Sequence, residues 1–217
     1  MTDLHEKYFV AIAGNIGVGK STLTKLLSEA LDWQPFYEAN AENPYLADFY
    51  MDMGRWSFHS QVFFLGKRLE HHRLLLDHPN SVIQDRTVYE DAEVFARNLY
   101  EQGKMSERDY DAYRRLYQAI SAFLPPPDLI IYLQASVDTL TAHIARRGRE
   151  FEQNISPEYL TRLNRLYDGW IEGWSLCPVL RVDVDNLDFE RDLNDFEEIL
   201  VNTKMKLRIP LEPQQDS

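Results

Sequence analysis

The 217-residue sequence contains one cysteine, Cys177, so no disulfide can form within the chain and a small oxidised scaffold is excluded. Long hydrophobic runs are also missing. The longest apolar stretches span a handful of residues, far below the roughly 20 needed to cross a bilayer. The segment Met1-Thr2-Asp3-Leu4-His5-Glu6-Lys7 lacks the basic-then-apolar order of a secretion signal. These absences lead us to expect a soluble protein of the reducing cytoplasm, with no membrane partner. Positive charge is scarce as well: 23 Lys and Arg stand against 35 Asp and Glu, a formal net charge of -12. A nucleic-acid polymer would be repelled unless a local basic patch dominated, which leaves a small molecule as the expected partner.

What is present is a regular alternation of buried-strand and amphipathic-helix patterns. The length suits one α/β domain, residues 1–209, with a flexible tail at 210–217. Tyr8 to Ala13 is a short apolar run ending at a glycine, as in a strand buried on both faces of a parallel sheet. From Lys20 to Leu31 the period changes: Leu23, Leu26, Leu27, Ala30 and Leu31 recur at three and four, the mark of a helix packed on that sheet. Further strands are expected at Gln34–Tyr37, Ser81–Gln84, Leu129–Leu133 and Val179–Val182. Pro125-Pro126-Pro127-Asp128 halts one helix, and Ser136-Val137-Asp138 caps the start of another. The fold class is α/β, with a central parallel sheet of five strands flanked by helices.

Between the first strand and the first helix lie Gly14, Asn15, Ile16, Gly17, Val18, Gly19, Lys20, Ser21 and Thr22, spaced G-x-x-x-x-G-K-S. That spacing lets successive backbone N–H groups converge on phosphate oxygens, with the positive end of the helix dipole behind them. Lys20 is expected to pair with the outer phosphates and the Ser21 hydroxyl to bind Mg²⁺. The loop specifies a nucleoside triphosphate, not what receives the phosphate. Asp-x-x-Gly and Asn-Lys-x-Asp elements of a GTPase are missing, and the strand at Val82–Gln84 leads into Asp85-Arg86 rather than an Asp-Glu pair. Phosphorylation of a small acceptor moves ahead. Glu38, just after the strand at Phe36-Tyr37, sits where a base for a hydroxyl proton is wanted, although its position alone also suits an exposed loop acid.

Several islands, in order and spacing, carry a further likeness: Gly14 to Thr22, Glu38, Glu42-Asn43-Pro44-Tyr45-Leu46, Trp56-Ser57-Phe58, Gln61, Asp85-Arg86-Thr87-Val88-Tyr89-Glu90-Asp91 and Arg146-Arg147-Gly148-Arg149. Together they resemble the deoxynucleoside kinases, over Phe9 to Leu180, and most of all the bacterial deoxyadenosine/deoxycytidine kinases at Gln84 to Asp91 and Ser175 to Leu180. The resemblance implies a P-loop kinase fold with an Arg-rich lid at residues 146–154. It implies ATP as phosphate donor with Mg²⁺, a deoxynucleoside acceptor (deoxyadenosine favoured, then deoxycytidine or deoxyguanosine), a role in nucleotide salvage, and a homodimer.

By the same likeness Glu38 is the base for the 5′-hydroxyl, Arg86 stabilises charge at the transferring phosphoryl group, and Asp85 is the acid associated with Mg²⁺. Tyr50 and Glu152 would hold the sugar 3′-hydroxyl, though tyrosine beside Phe49 also suits core packing. Gln61 and Arg68 are seven residues apart, so on a helix they return to nearly one face, within about 20°. We expect them on the flank of a core stripe of Phe58, Val62, Leu65 and Leu69. The Gln61 amide can donate and accept at once, which matches an adenine or cytosine edge. Arg68 with Asp91, the latter expected to begin a helix, would disfavour thymidine, while a purely structural ion pair remains the other reading. Arg147 and Arg149 would touch phosphates from the lid, or with Arg146 simply complement a helix terminus. His71-His72 is assigned to the surface, since no Cys or acidic ligand set stands near it. Cys177 is expected as a buried thiol.

Two rival functions remain. A nucleoside monophosphate kinase of the thymidylate kinase type also joins a phosphate loop to an Asp-Arg element, but a carboxylate at Glu38 would repel an acceptor phosphate. A non-catalytic ATP-binding regulatory module would not need Lys20, Glu38 and Arg86 together.

Overall fold

The structure is a computed structural model that describes residues 7–37, 43–149, 152 and 155–211. Five parallel strands form one sheet in the order β2-β3-β1-β4-β5: β1 (Phe9–Gly14), β2 (Gln34–Phe36), β3 (Val82–Asp85), β4 (Leu129–Gln134) and β5 (Val179–Asp183). All five expected strands are present, with Gln34–Phe36 paired to β3 at the sheet edge. Every residue of β1 and β3 is buried, which is why these segments are continuous apolar runs rather than alternating ones. A side chain also anchors the entrance to the sheet: the Asp128 carboxylate accepts from Phe9 N–H at 2.7 Å, tying the start of β1 to the start of β4.

Nine helices accompany the strands among the described residues: α1 (Lys20–Leu31), α2 (Leu46–Met51), α3 (Met53–Asp77), α4 (Val88–Glu90), α5 (Arg97–Glu101), α6 (Glu107–Ser121), α7 (Val137–Arg147), α8 (Pro157–Glu172) and α9 (Leu193–Leu207). Between α4 and α5 the chain widens into a π-helical segment, Asp91–Ala96. Helix starts are set by short polar side chains. Ser106, Ser136 and Ser156 accept from the N–H groups of Asp109, Thr139 and Tyr159, satisfying donors that have no partner within a first turn. Pro157 follows Ser156 at the first helical position, where its missing N–H costs nothing.

Four expectations are corrected. Asp91 does not begin a helix: α4 begins at Val88 behind the Thr87 cap, and Asp91 opens the π-helical segment. Phe58, Val62 and Leu69 are only partly buried. The buried residues of α3 are Ser57, Ser60, Gln61, Leu65, Arg68, His72 and Leu75, a polar inner face whose side chains find partners such as Asp91 for Arg68 and Asn43 for Ser60. His72 is therefore not on the surface; it is buried with its ring edge-on to Phe9 at 5.7 Å, and burial lowers its pKa and favours the neutral ring. Cys177 is half-buried rather than enclosed, with Trp174 Nε1 donating to its Sγ at 3.3 Å.

Helix α1 lies against β1, β2 and β3, and its Leu23 and Leu27 are fully buried there. Truncating Leu27 removes apolar contact and leaves a cavity under the phosphate loop's own helix. Leu27→Ala is expected to lower unfolding free energy by about 2–5 kcal/mol in urea denaturation; a loss below about 1 kcal/mol would contradict this packing.

Candidate active site

Parallel pairing of β1 with β3 sets Ile12 opposite Asp85, so the two loops that follow these central strands leave the sheet side by side. Arg86 N–H donates to Ile12 O at 3.1 Å, locking the second loop to the first strand. Ligands in open α/β sheets bind at this carboxyl edge. Here the edge opens into a cavity of about 640 Å³.

The floor of the cavity is the phosphate loop. Gly14, Gly17 and Gly19 have φ of 146°, 84° and 102°, conformations that L side chains rarely adopt. At Gly14 the constraint is also steric, since a Cβ would stand 2.7 Å from Leu133 O. Asn15 braces the loop from behind: its amide donates to Leu160 O and to Asn164 Oδ1, and its Oδ1 accepts from Ile16 N–H. Lys20 Nζ lies over the loop, donating to Gly14 O and Asn15 O at 2.9 Å each. Ile16 to Thr22 all line the cavity.

Asp85 and Ser21 meet at the end of β3, with the Ser21 hydroxyl donating to Asp85 Oδ2 at 2.6 Å. The other oxygen, Asp85 Oδ1, is buried without a hydrogen-bond partner among the described residues. A buried carboxylate oxygen left open beside a hydroxyl, under a phosphate loop, is a hard-oxygen donor set of the type that Mg²⁺ uses with phosphates. The residues fit the ion: Ser21 and Asp85 would hold it, and it would draw charge from the phosphate oxygens. Arg86, at φ 66°, is buried with its guanidinium 4.2 Å over the Phe95 ring.

Tyr50 and Gln61 line the same cavity across from the loop, with Phe49 and Phe64. The two readings of Tyr50 are compatible, since its ring packs edge-on against Phe49 at 5.2 Å while facing the cavity. Gln61 Oε1 is buried and has no hydrogen-bond partner among the described residues, an acceptor with an unmet demand. Arg68 and Asp91 form a buried pair, Nε to Oδ2 3.0 Å, as the sequence suggested, but neither lines the cavity; they stand behind Gln61. Lid residues Arg147 and Arg149 both donate to Glu152, a residue expected to hold the sugar. Two groups assigned to different ligands are thus in contact. Glu38 lies outside the described residues, as do residues 150–151 and 153–154 of the lid.

Sequence reasoning missed Phe95, and it pointed to the loop after β5 without naming the residues, Leu187, Asp188, Phe189 and Glu190, that line the cavity there. It also missed His143, whose Nδ1 lies 2.9 Å from Gly17 O. Phe95 sits in the π-helical segment, where a 3.6-residue period cannot place a side chain. Such segments often occur at functional sites.

Comparison with known proteins agrees with this geometry. Residues 10–207 match the family model described as deoxynucleoside kinase. The chain belongs to the deoxynucleoside kinase family. A deoxyadenosine/deoxycytidine kinase of Bacillus subtilis is 38% identical over 193 residues, covering 88% of this chain and 89% of that protein. A deoxyadenosine kinase of Lactobacillus acidophilus is 35% identical over 208 residues, covering 92% of this chain and 96% of that one. Among solved structures, the deoxyadenosine kinase from M. mycoides with products dCMP and a flexible dCDP bound superposes with a TM-score of 0.82 at 30% identity, covering 91% of this chain and 99% of that chain. As a deoxynucleoside kinase, the chain is an ATP-dependent enzyme.

Gly14 offers a sharp test of this geometry. Gly14→Ala is expected to cut turnover on the order of 10²-fold, through displacement of the loop. Steady-state kinetics would check it, and near wild-type turnover would show that the loop tolerates a Cβ at Gly14.

Proposed function

We propose that this deoxynucleoside kinase transfers the γ-phosphate of ATP, with Mg²⁺ at Ser21 and Asp85, to the 5′-hydroxyl of a deoxynucleoside. Deoxyadenosine is favoured, then deoxycytidine or deoxyguanosine. One observation carries the reading: the phosphate loop and the Gln61 side chain line a single cavity, with Asp85 and Arg86 also in its wall, and Gln61 Oε1 has no hydrogen-bond partner among the described residues. A free amide acceptor suits the exocyclic amino group of adenine or cytosine, while the amide's N–H₂ meets the adjacent ring nitrogen. The names of the two relatives, deoxyadenosine/deoxycytidine kinase and deoxyadenosine kinase, support the base order. A relative from Lactobacillus johnsonii named deoxyguanosine kinase, 35% identical over 208 residues, keeps deoxyguanosine in the list.

In this reading Glu38 takes the proton of the 5′-hydroxyl. Lys20, Arg86, Arg147 and Arg149 hold phosphate charge, which grows at the transferring group as the bond to the leaving oxygen weakens. Tyr50 and Glu152 hold the 3′-hydroxyl, so sugar binding would draw Glu152 away from the two lid arginines and free them for the donor. The Arg68–Asp91 pair acts on the base through Gln61, fixing the wall that carries it. Residues 1–209 act as one domain with a lid at 146–154; of the tail expected at 210–217, residues 212–217 lie outside the described residues.

A cytoplasmic setting, where the enzyme would salvage deoxynucleosides, accords with the single cysteine. No helix among the described residues is long and apolar enough to cross a membrane. The net charge of -12 disfavours a nucleic-acid polymer. A homodimer is supported by apolar side chains left exposed on neighbouring α3 and α6: Leu74 and Leu76 on the first, Leu116 on the second, and Phe123 just beyond it.

Mg-ATP supplied with each of the four deoxynucleosides and with deoxythymidine monophosphate should release ADP fastest with deoxyadenosine and yield a 5′-monophosphate. ADP release with the monophosphate alone would transfer the chain to the rival kinase class, and none with any acceptor would leave only a binding module. Glu38→Gln is expected to lower turnover on the order of 10²-fold or more while ATP still binds; unchanged turnover would remove Glu38 as the base.

A further inference from the structure

Glu90 is the most deeply enclosed carboxylate among the described residues, with no exposed surface, and it does not line the cavity. It therefore touches neither substrate. Its two oxygens nevertheless join three parts of the site. Oε1 accepts from the backbone N–H of Gly14 at 3.3 Å, where the phosphate loop begins, and from the Tyr167 hydroxyl of α8 at 2.9 Å. Oε2 accepts from the Thr87 backbone N–H at 2.8 Å and its hydroxyl at 3.3 Å, next to Arg86.

Isolating a carboxylate from water is costly unless charge and donors surround it. Here they do. Burial pushes the Glu90 carboxyl above its ordinary pKa, while the charges of Arg86 and Lys20 and the bonds from Thr87 and Tyr167 pull it down. The two cations that face the phosphates thus share an internal counter-ion. Two turns, one after β1 and one after β3, converge on the same carboxylate, and both contain glycine or arginine in left-handed conformations that need external support.

We infer that Glu90 is a positioning residue for phosphoryl transfer: by accepting from Gly14 and Thr87 together, it sets the phosphate loop and Arg86 in one fixed relation. This role rests on the kinase reading for its effect on turnover, but the tie itself can be measured without any reaction. An ordinary helix-capping role needs only the Thr87 bonds. Reaching across to Gly14 serves the loop instead.

Glu90→Gln is the direct test, since it keeps size and removes one acceptor. The amide nitrogen must face either Gly14 N–H or Thr87 N–H, and that donor then loses its partner. With deoxyadenosine and Mg-ATP, kcat is expected to fall by at least about tenfold, while KM for deoxyadenosine, whose base contacts are untouched, shifts by less than about threefold. Amide hydrogen exchange at Gly14, read by NMR, should accelerate relative to amides of β4. A merely structural residue would lower the thermal midpoint and leave both readouts alone in the folded protein. If Glu90→Gln does not fold, Tyr167→Phe decides. It strips one donor from the same oxygen and should also lower kcat and speed Gly14 exchange, by smaller factors. Unchanged kcat and unchanged Gly14 exchange in a folded variant overturns the inference. If the unmodified protein phosphorylates no deoxynucleoside, the kinase reading falls, and Gly14 exchange in the variant alone decides for or against the tie.

Discussion

The close approach of Gly14 to β4 constrains most of the site. The β1 backbone runs so near Leu133 O that no Cβ fits, and from that fixed point the chain must turn through two more left-handed glycines before Lys20 starts α1. The turn brings first-turn amides of a helix to face the cavity, where a phosphate supplies the acceptor that the helix itself cannot. Parallel register then brings Asp85 level with Ile12, so a carboxylate arrives next to Ser21 without any long loop to carry it. The loop, the Ser21–Asp85 contact and the place of Arg86 are thus consequences of two adjacent strands ending at the same level.

Charge is distributed to match. The chain as a whole is strongly acidic, yet Lys20, Arg86, Arg146, Arg147 and Arg149 all line one cavity. Five acids, Asp85, Glu152, Asp185, Asp188 and Glu190, line the same cavity, so its cations stand among carboxylates that hold them in place. Four of these cations have internal partners: Lys20 in loop carbonyls, Arg147 and Arg149 in Glu152, and Arg146 in Glu190. The exposed Arg146–Glu190 pair is weak and readily exchanged, whereas the enclosed contacts on Glu152 ask for a competing anion or a new partner for the carboxylate.

Elements whose pattern has a single cause were legible in the sequence. Buried parallel strands are apolar throughout, and all five were found; the phosphate loop is confined by its glycines and its neighbours on either side, and Ser21 does meet Asp85. Residues serving two causes were not. On α3 the inward face is polar because it carries Gln61 to the cavity wall and pairs Arg68 with Asp91, so a rule that places apolar residues inward chose Phe58, Val62 and Leu69 and put His72 outside. Phe95 was hidden by the widened π-helical turn, and the Glu90 tie to Gly14 spans 76 positions, a distance at which no local pattern signals contact.

That inversion on α3 has a physical consequence. Burying an arginine, an amide, two serines and a histidine is favourable only where each finds partners, and Arg68 finds Asp91 while Asn43 donates to Ser60. Among the described residues, Gln61 Oε1 and His72 Nε2 are left without a partner. A buried polar atom without a partner costs stability that a closed apolar core would not bear. The helix thus keeps a polar inner face at the expense of some stability, which packing at Leu65 and Leu75 offsets.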